Sequence, residues 1–272
     1  MSIAAIGYLR IAATDTDAWM TFGPSTLGLM DAAREDSTGA RFLRMDNHPF
    51  RFMLEPADHD GLIAAGLECR GRSEWEELCN RLDSNGHTLQ QGTPAEAARR
   101  CVTAFVSVDD PCGNTLEIYY GRRLDYAPLI SPTGVKEFIT GDEYTGDMGF
   151  GHAVLPTPDL DTAASFYTDL LGLGVSDTLH PPLPEGAPET TILFLHADNP
   201  RQHSLALYNH PYTGDVVHIM VEVGSLDEVG RAMDRAKAGG YPILASLGRH
   251  VNDNMCSFYV VAPGGIAVEY GY

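Results

Sequence analysis

The chain has 272 residues, of which 44% are hydrophobic and 20% charged, enough apolar material for a packed core and a length that suits two ordinary domains. Its 18 Lys and Arg face 37 Asp and Glu, a formal charge of −19. That balance repels phosphate backbones and acidic lipid surfaces alike, which argues against nucleic-acid and membrane partners.

Residues 1–6 (MSIAAI) carry no basic run ahead of their apolar positions and are not read as a signal peptide. No stretch approaches the ~18 apolar residues of a membrane-spanning helix. The cysteines, Cys69, Cys79, Cys101, Cys112 and Cys256, are odd in number and form no C-x-x-C pair. They read as reduced thiols of a cytoplasmic protein, not as a disulfide framework or a zinc site.

The chain repeats itself. Residues 7–30 align without gaps to 151–174, matching Gly7 to Gly151, Asp15 to Asp159, Phe22 to Phe166, and the Leu-Gly-Leu of 27–29 to that of 171–173. Residues 110–119 align in the same way to 262–271. Two matches in the same order imply duplication, with residues 1–123 as an N-terminal domain, 124–147 as a Pro- and Gly-rich connector, and 148–272 as a C-terminal domain.

Within the second half, a short strand over 151–154 leads to Asp159, a helix start signal, and a helix from about Leu160 to Leu171 stopped by Gly172. Strand-like runs follow at 191–196 and 204–208. A strand over 215–223, a helix over 225–238 ended by Gly239 and Gly240, and strands at 256–261 and 265–270 complete the pattern. Each half therefore reads as two βαβββ modules, an α+β fold. In 216–223 (VVHIMVEV) the period of two sets His218, Met220 and Glu222 on one face and valine and isoleucine on the other.

The histidines are unevenly shared: His48, His59 and His87 lie in the first half, against His152, His180, His196, His203, His210, His218 and His250 in the second. By the repeat, Tyr8 stands where the second half has His152, and Ala64 where it has His218, while Glu117 matches Glu269. Two imidazoles and a carboxylate from separate strands make a facial set that leaves about three coordination positions open on Fe(II). The first half keeps only the carboxylate, so chemistry is expected in the second. His196 and His210 match no ligand position and read as structural, as do Trp19 and Trp75, and His180 opens a Pro-rich loop (180–189).

Residues 248–269 (GRHVNDNMCSFYVVAPGGIAVE), with 151–152 (GH), 202–205 (QHSL) and 218–223 (HIMVEV), resemble the type I extradiol ring-cleaving dioxygenases of the vicinal oxygen chelate superfamily. The resemblance covers essentially the whole chain. It implies two tandem domains, each of two βαβββ modules forming a cupped mixed sheet, and a metal held by His152, His218 and Glu269. The metal implied is Fe(II), or Mn(II) in some members. It makes His203 the acid/base beside the oxygen site and His250 and Tyr259 the partners of the two catechol oxygens.

The implied reaction opens a catechol ring outside the diol with both atoms of O2 incorporated. Val154 and Phe194 are expected in a mainly apolar pocket, matching positions that line the ring pocket of relatives acting on bicyclic catechols such as biphenyl-2,3-diol. Asn252 and Asp253 are expected to hold the loop after His250 and to contact ligand. Homo-oligomers are usual in the family. Its members continue past the position of Tyr272 with a tail that helps wall the pocket, and that wall is expected to be missing here. Two other readings fit the scaffold: a metal-dependent glyoxalase-like isomerase or epimerase, and a non-enzymatic small-molecule-binding protein.

Overall fold

The computed structural model describes residues 3–34, 36–182, 186–209 and 214–272; His210 and part of the Pro-rich loop fall outside them. Four βαβββ modules follow one another in chain order. The first runs β1 (Ala5–Ala13), α1 (Thr16–Phe22), β2 (Met30–Asp31), β3 (Arg41–Arg44) and β4 (Phe52–Pro56). The second runs β5 (Gly61–Cys69), α2 (Arg72–Ser84), β6 (Gln90–Gln91), an additional helix α3 (Pro94–Arg99), β7 (Ala104–Asp109) and β8 (Thr115–Tyr120).

A small antiparallel hairpin in the connector, β9 (Gly141–Asp142) with β10 (Gly146–Asp147), precedes the second half. The third module is β11 (Ala153–Pro156), α4 (Leu160–Ser165), β12 (Gly174–Leu179), β13 (Ile192–His196) and β14 (Leu205–Tyr208). The fourth is β15 (His218–Glu222), α5 (Leu226–Ala238), β16 (Ile243–Arg249), β17 (Cys256–Val261) and β18 (Ala267–Gly271).

Each half forms one eight-stranded sheet, ordered β2-β3-β4-β1-β5-β8-β7-β6 and β12-β13-β14-β11-β15-β18-β17-β16, so the two have the same topology. The first and last long strands of a module pair in parallel, as in β1 with β4 and β15 with β18, and the other neighbours within a module pair antiparallel, as in β13 with β14 and β17 with β18.

Matching residues build matching elements. Asp15 and Asp159 cap α1 and α4, each accepting an N–H three residues on, from Ala18 at 2.8 Å and Thr162 at 3.2 Å. Both helices then widen into a π turn, over Gly23–Leu27 and Phe166–Leu170, where the helix predicted to reach Leu171 in one regular piece loosens instead. Gly28 at φ 78° and Gly172 at φ 77° end them in the left-handed region, which only glycine adopts without strain.

The chain packs into two compact units, each uniting a module of one half with a module of the other: Met1–Gly7, Ala64–Arg123 and Gly141–Val217 in one, and Tyr8–Ile63, Leu124–Thr140 and His218–Tyr272 in the other. In the first unit Arg81 donates to the Leu170 carbonyl at 2.6 Å and Tyr167 to Asp110 at 2.9 Å. In the second, Arg235 donates to the Thr26 carbonyl at 2.9 Å and Tyr270 to that of Leu27 at 3.0 Å. In both, the carbonyls that end a widened helix receive donors from a module of the opposite half.

The five cysteines are unbridged. Burial first, then neighbouring Cys79 and Glu68, pushes the Cys69 thiol up to about 12, and burial pushes Cys79 up to about 11, so neither offers a thiolate at neutral pH. Among the described residues, no helix is long and apolar enough to cross a membrane.

The repeat exposes one exchange. In the first sheet the Glu117 carboxylate, 1% exposed, is gripped by the 4%-exposed Arg100, with Nε–Oε2 at 2.6 Å and Nη2–Oε1 at 2.5 Å. The guanidinium lies over the Phe105 ring, 4.1 Å from its centroid. Removing the cation strands a buried charge, so Arg100→Ala is expected to lower unfolding free energy by roughly 3–5 kcal/mol in urea denaturation. Adding Glu117→Gln should recover much of that loss; an unchanged urea midpoint in Arg100→Ala would contradict the assignment.

Candidate metal centre

Strand register sets the candidate residues of each unit on a common side. Parallel pairing sets Met220 beside Glu269, and antiparallel pairing sets Tyr259 beside Glu269 and Ser257 beside Gly271. The side-chain period of two then puts His218, Glu269, Ser257 and Tyr259 on a common side. On β11, Val154 pairs with Ala206 of β14, which pairs with Phe194 of β13. His152 precedes β11 by one residue and shares the Val154 side.

Within the first compact unit, His152 and His203 are both buried, with ring centroids 4.1 Å apart. Phe194 meets the His203 ring edge-to-face at 4.8 Å. His203 Nδ1 lies 2.5 Å from Gln202 Oε1, an acceptor that suits a proton on Nδ1. Val154, Phe194 and Ala206 form a buried apolar cluster, with Leu179, Ile192, Tyr208 and Val217 packed against it.

Within the second unit, the Glu269 side chain is 1% exposed and splits its two oxygens. Oε2 lies 3.3 Å from His218 Nε2, whereas Oε1 accepts from the Ser257 hydroxyl at 2.7 Å and lies 3.6 Å from His250 Nδ1. Tyr259 stands edge-on to His218 at 5.2 Å, and its hydroxyl is 3.4 Å from His250 Nε2. Burial, with the Glu269 carboxylate beside it, holds the Tyr259 phenol well above its usual range, so it stays protonated and able to donate.

The loop 250–255 is closed by the His250 N–H on the Met255 carbonyl at 2.8 Å, with Asn254 at φ 61°. Asp253 accepts from the Met255 N–H at 2.9 Å and lies 3.7 Å from His250 Nδ1. The Asn252 Nδ2 is buried and has no hydrogen-bond partner among the described residues.

His152, His218 and Glu269 each offer a ligand atom, all within 4.8 Å of one another. The donor set, two imidazoles and one buried carboxylate, suits a borderline divalent ion. Arg100 lies 17 residues ahead of Glu117, and the same step back from Glu269 reaches Asn252, an uncharged residue. A second group, Asp46, His48 and Asp147, meets the same distance test. Its carboxylates already face guanidinium groups, Asp46 that of Arg51 at 2.5 Å and Asp147 that of Arg122 at 2.9 Å.

His196 caps β13 and packs over Gly174, where a Cβ would come within 2.2 Å of the ring. His180 meets the Thr191 hydroxyl at 3.2 Å. Neither joins the cluster of ligand atoms. Gln202 and Ser257 carry no role in the sequence reading, and strand register is the signal that brings Ser257 to Glu269.

Residues 149–270 match the Glyoxalase/Bleomycin resistance protein/Dioxygenase superfamily, and residues 6–56 match the family described as dihydroxybiphenyl dioxygenase BphC D1. Over its full length the chain is 38% identical to an iron-dependent extradiol dioxygenase of Rhodococcus jostii (strain RHA1), spanning 89% of that protein. It is also 38% identical to a biphenyl-2,3-diol 1,2-dioxygenase of Paraburkholderia xenovorans (strain LB400), spanning 88%. A crystal structure of a catechol 2,3-dioxygenase superposes with a TM-score of 0.91 at 31% identity, over 100% of this chain and 88% of that one. The chain belongs to the extradiol dioxygenases of this superfamily.

Proposed function

We propose that the protein is an Fe(II)-dependent extradiol dioxygenase that opens the ring of a catechol beside its diol, a bicyclic one such as biphenyl-2,3-diol, with both atoms of O2 entering the product. The observation that supports the reading is that His152, His218 and Glu269 each offer a ligand atom within 4.8 Å of the others. The Rhodococcus jostii relative, named as iron-dependent, supports the choice of metal, and the donor set would also accept Mn(II). Residues 148–272 are taken as the catalytic domain, in a cytoplasmic homo-oligomer.

An Fe(II) ion in this set would keep open positions for catechol and dioxygen and relay electrons between them. The protein side chains do the rest. Tyr259, protonated in its buried setting, donates a hydrogen bond to one catechol oxygen and stabilises the monoanion. His250, 3.4 Å from that hydroxyl, orients it and faces the same end of the diol. His203, with its Nδ1 proton toward Gln202, takes up the catechol proton at Nε2 and returns it as the O–O bond breaks. The buried Val154–Phe194–Ala206 cluster beside His203 supplies an apolar surface for the second ring of a bicyclic substrate. The spare donor of Asn252 and the Asp253-held loop complete the polar end.

Protein loaded anaerobically with Fe(II), mixed with biphenyl-2,3-diol and then exposed to air, should take up oxygen and form a yellow ring-fission product. No oxygen uptake with any member of a panel of catechols would overturn the proposal. His218→Ala should lose bound iron and turnover together, since two remaining ligands hold Fe(II) poorly; full iron occupancy in that variant would contradict the ligand role. His203→Gln should retain iron and catechol while oxygen-dependent turnover falls by roughly 10²–10⁴-fold. Unchanged turnover would remove the acid/base role.

A further inference from the structure

Ser257 sits on β17 two residues before Tyr259, buried, with its hydroxyl on Glu269 Oε1 at 2.7 Å. Building on the metal reading above, we infer that Ser257 is a positioning residue for the metal centre: its hydroxyl holds Oε1 so that Glu269 presents Oε2 toward His218 and the ion. The terminal torsion of a glutamate is broad and nearly two-fold, so an untethered carboxylate exchanges its oxygens or offers both. Two-oxygen binding would consume a coordination position that catechol and dioxygen need. A donor fixed on one oxygen removes that freedom, in the way outer hydrogen bonds orient metal-binding carboxylates generally.

The internal repeat supplies a comparison within the same chain. Ser257 pairs with Gly271 and Tyr259 with Glu269; in the first sheet Phe105 pairs with Tyr119 and Ser107 with Glu117. The position of Ser257 is therefore Phe105 in the half whose carboxylate is held by Arg100, and that ring packs on the guanidinium. The hydroxyl occurs only where the two imidazoles occur. Gly271 completes the arrangement, because a Cβ there would come within 2.9 Å of the Ser257 Cβ and 2.7 Å of Met255 Sδ. The missing side chain lets Ser257 keep its place over Glu269.

The test measures Fe(II) affinity of the full-length protein anaerobically, by competition with a chromogenic chelator, for wild type, Ser257→Ala and Ser257→Thr, with circular dichroism to verify folding. Ser257→Ala should bind Fe(II) roughly 10–100-fold more weakly. Ser257→Thr, which keeps the hydroxyl, should bind close to wild type. Equal affinity in wild type and Ser257→Ala would overturn the role of Ser257 while leaving the metal centre standing. Equal weakening in both variants would also overturn it, by assigning the effect to packing. Absence of Fe(II) binding by the wild type would instead overturn the metal reading and, with it, this inference.

Discussion

A carboxylate sunk in a sheet core must be met by a cation or by a full set of donors, because burying the bare charge costs far more than one hydrogen bond returns. The protein meets this constraint twice, at the same place in two copies of one fold. Glu117 is met by Arg100, whose fork covers both oxygens. Glu269 has instead a serine hydroxyl on one oxygen and an imidazole facing the other. His152 offers a further nitrogen within reach of the same point. One copy holds a closed ion pair, and the other sets two imidazoles and a carboxylate that could hold a metal ion.

Much of the architecture is legible in the sequence because the duplication exposes it. Asp15 and Asp159, Gly28 and Gly172, and the strand 256–261 fall where the repeat and the turn residues put them. What escapes is the exposed edge. β12 and β16 carry few buried residues, so neither shows the apolar alternation that betrays a strand, and both are identified only by their ladders with β13 and β17. The π turns ending α1 and α4 also leave no mark, since an i→i+5 bond needs no particular residue.

The candidate site divides in the same way. His152, His218 and Glu269 stand out because histidine is scarce on apolar strands and the sister half lacks both imidazoles. The expectations for His203, His250 and Tyr259 come from family resemblance alone, since a histidine beside a turn or a tyrosine on a strand has no distinguishing pattern. Ser257 is beyond the reach of sequence pattern, because a serine on a strand is unremarkable until the register opposes Tyr259 to Glu269 and brings Oγ to the carboxylate.

We propose that one metal ion is held by Glu269 with nitrogens from His152 and His218. A crystal structure of the iron-loaded protein, with anomalous scattering recorded at the iron edge, tests it most directly. A single strong peak is expected in contact with those three side chains, and none at the Asp46, His48 and Asp147 group. A peak anywhere else, or imidazoles turned away from the ion, would contradict it.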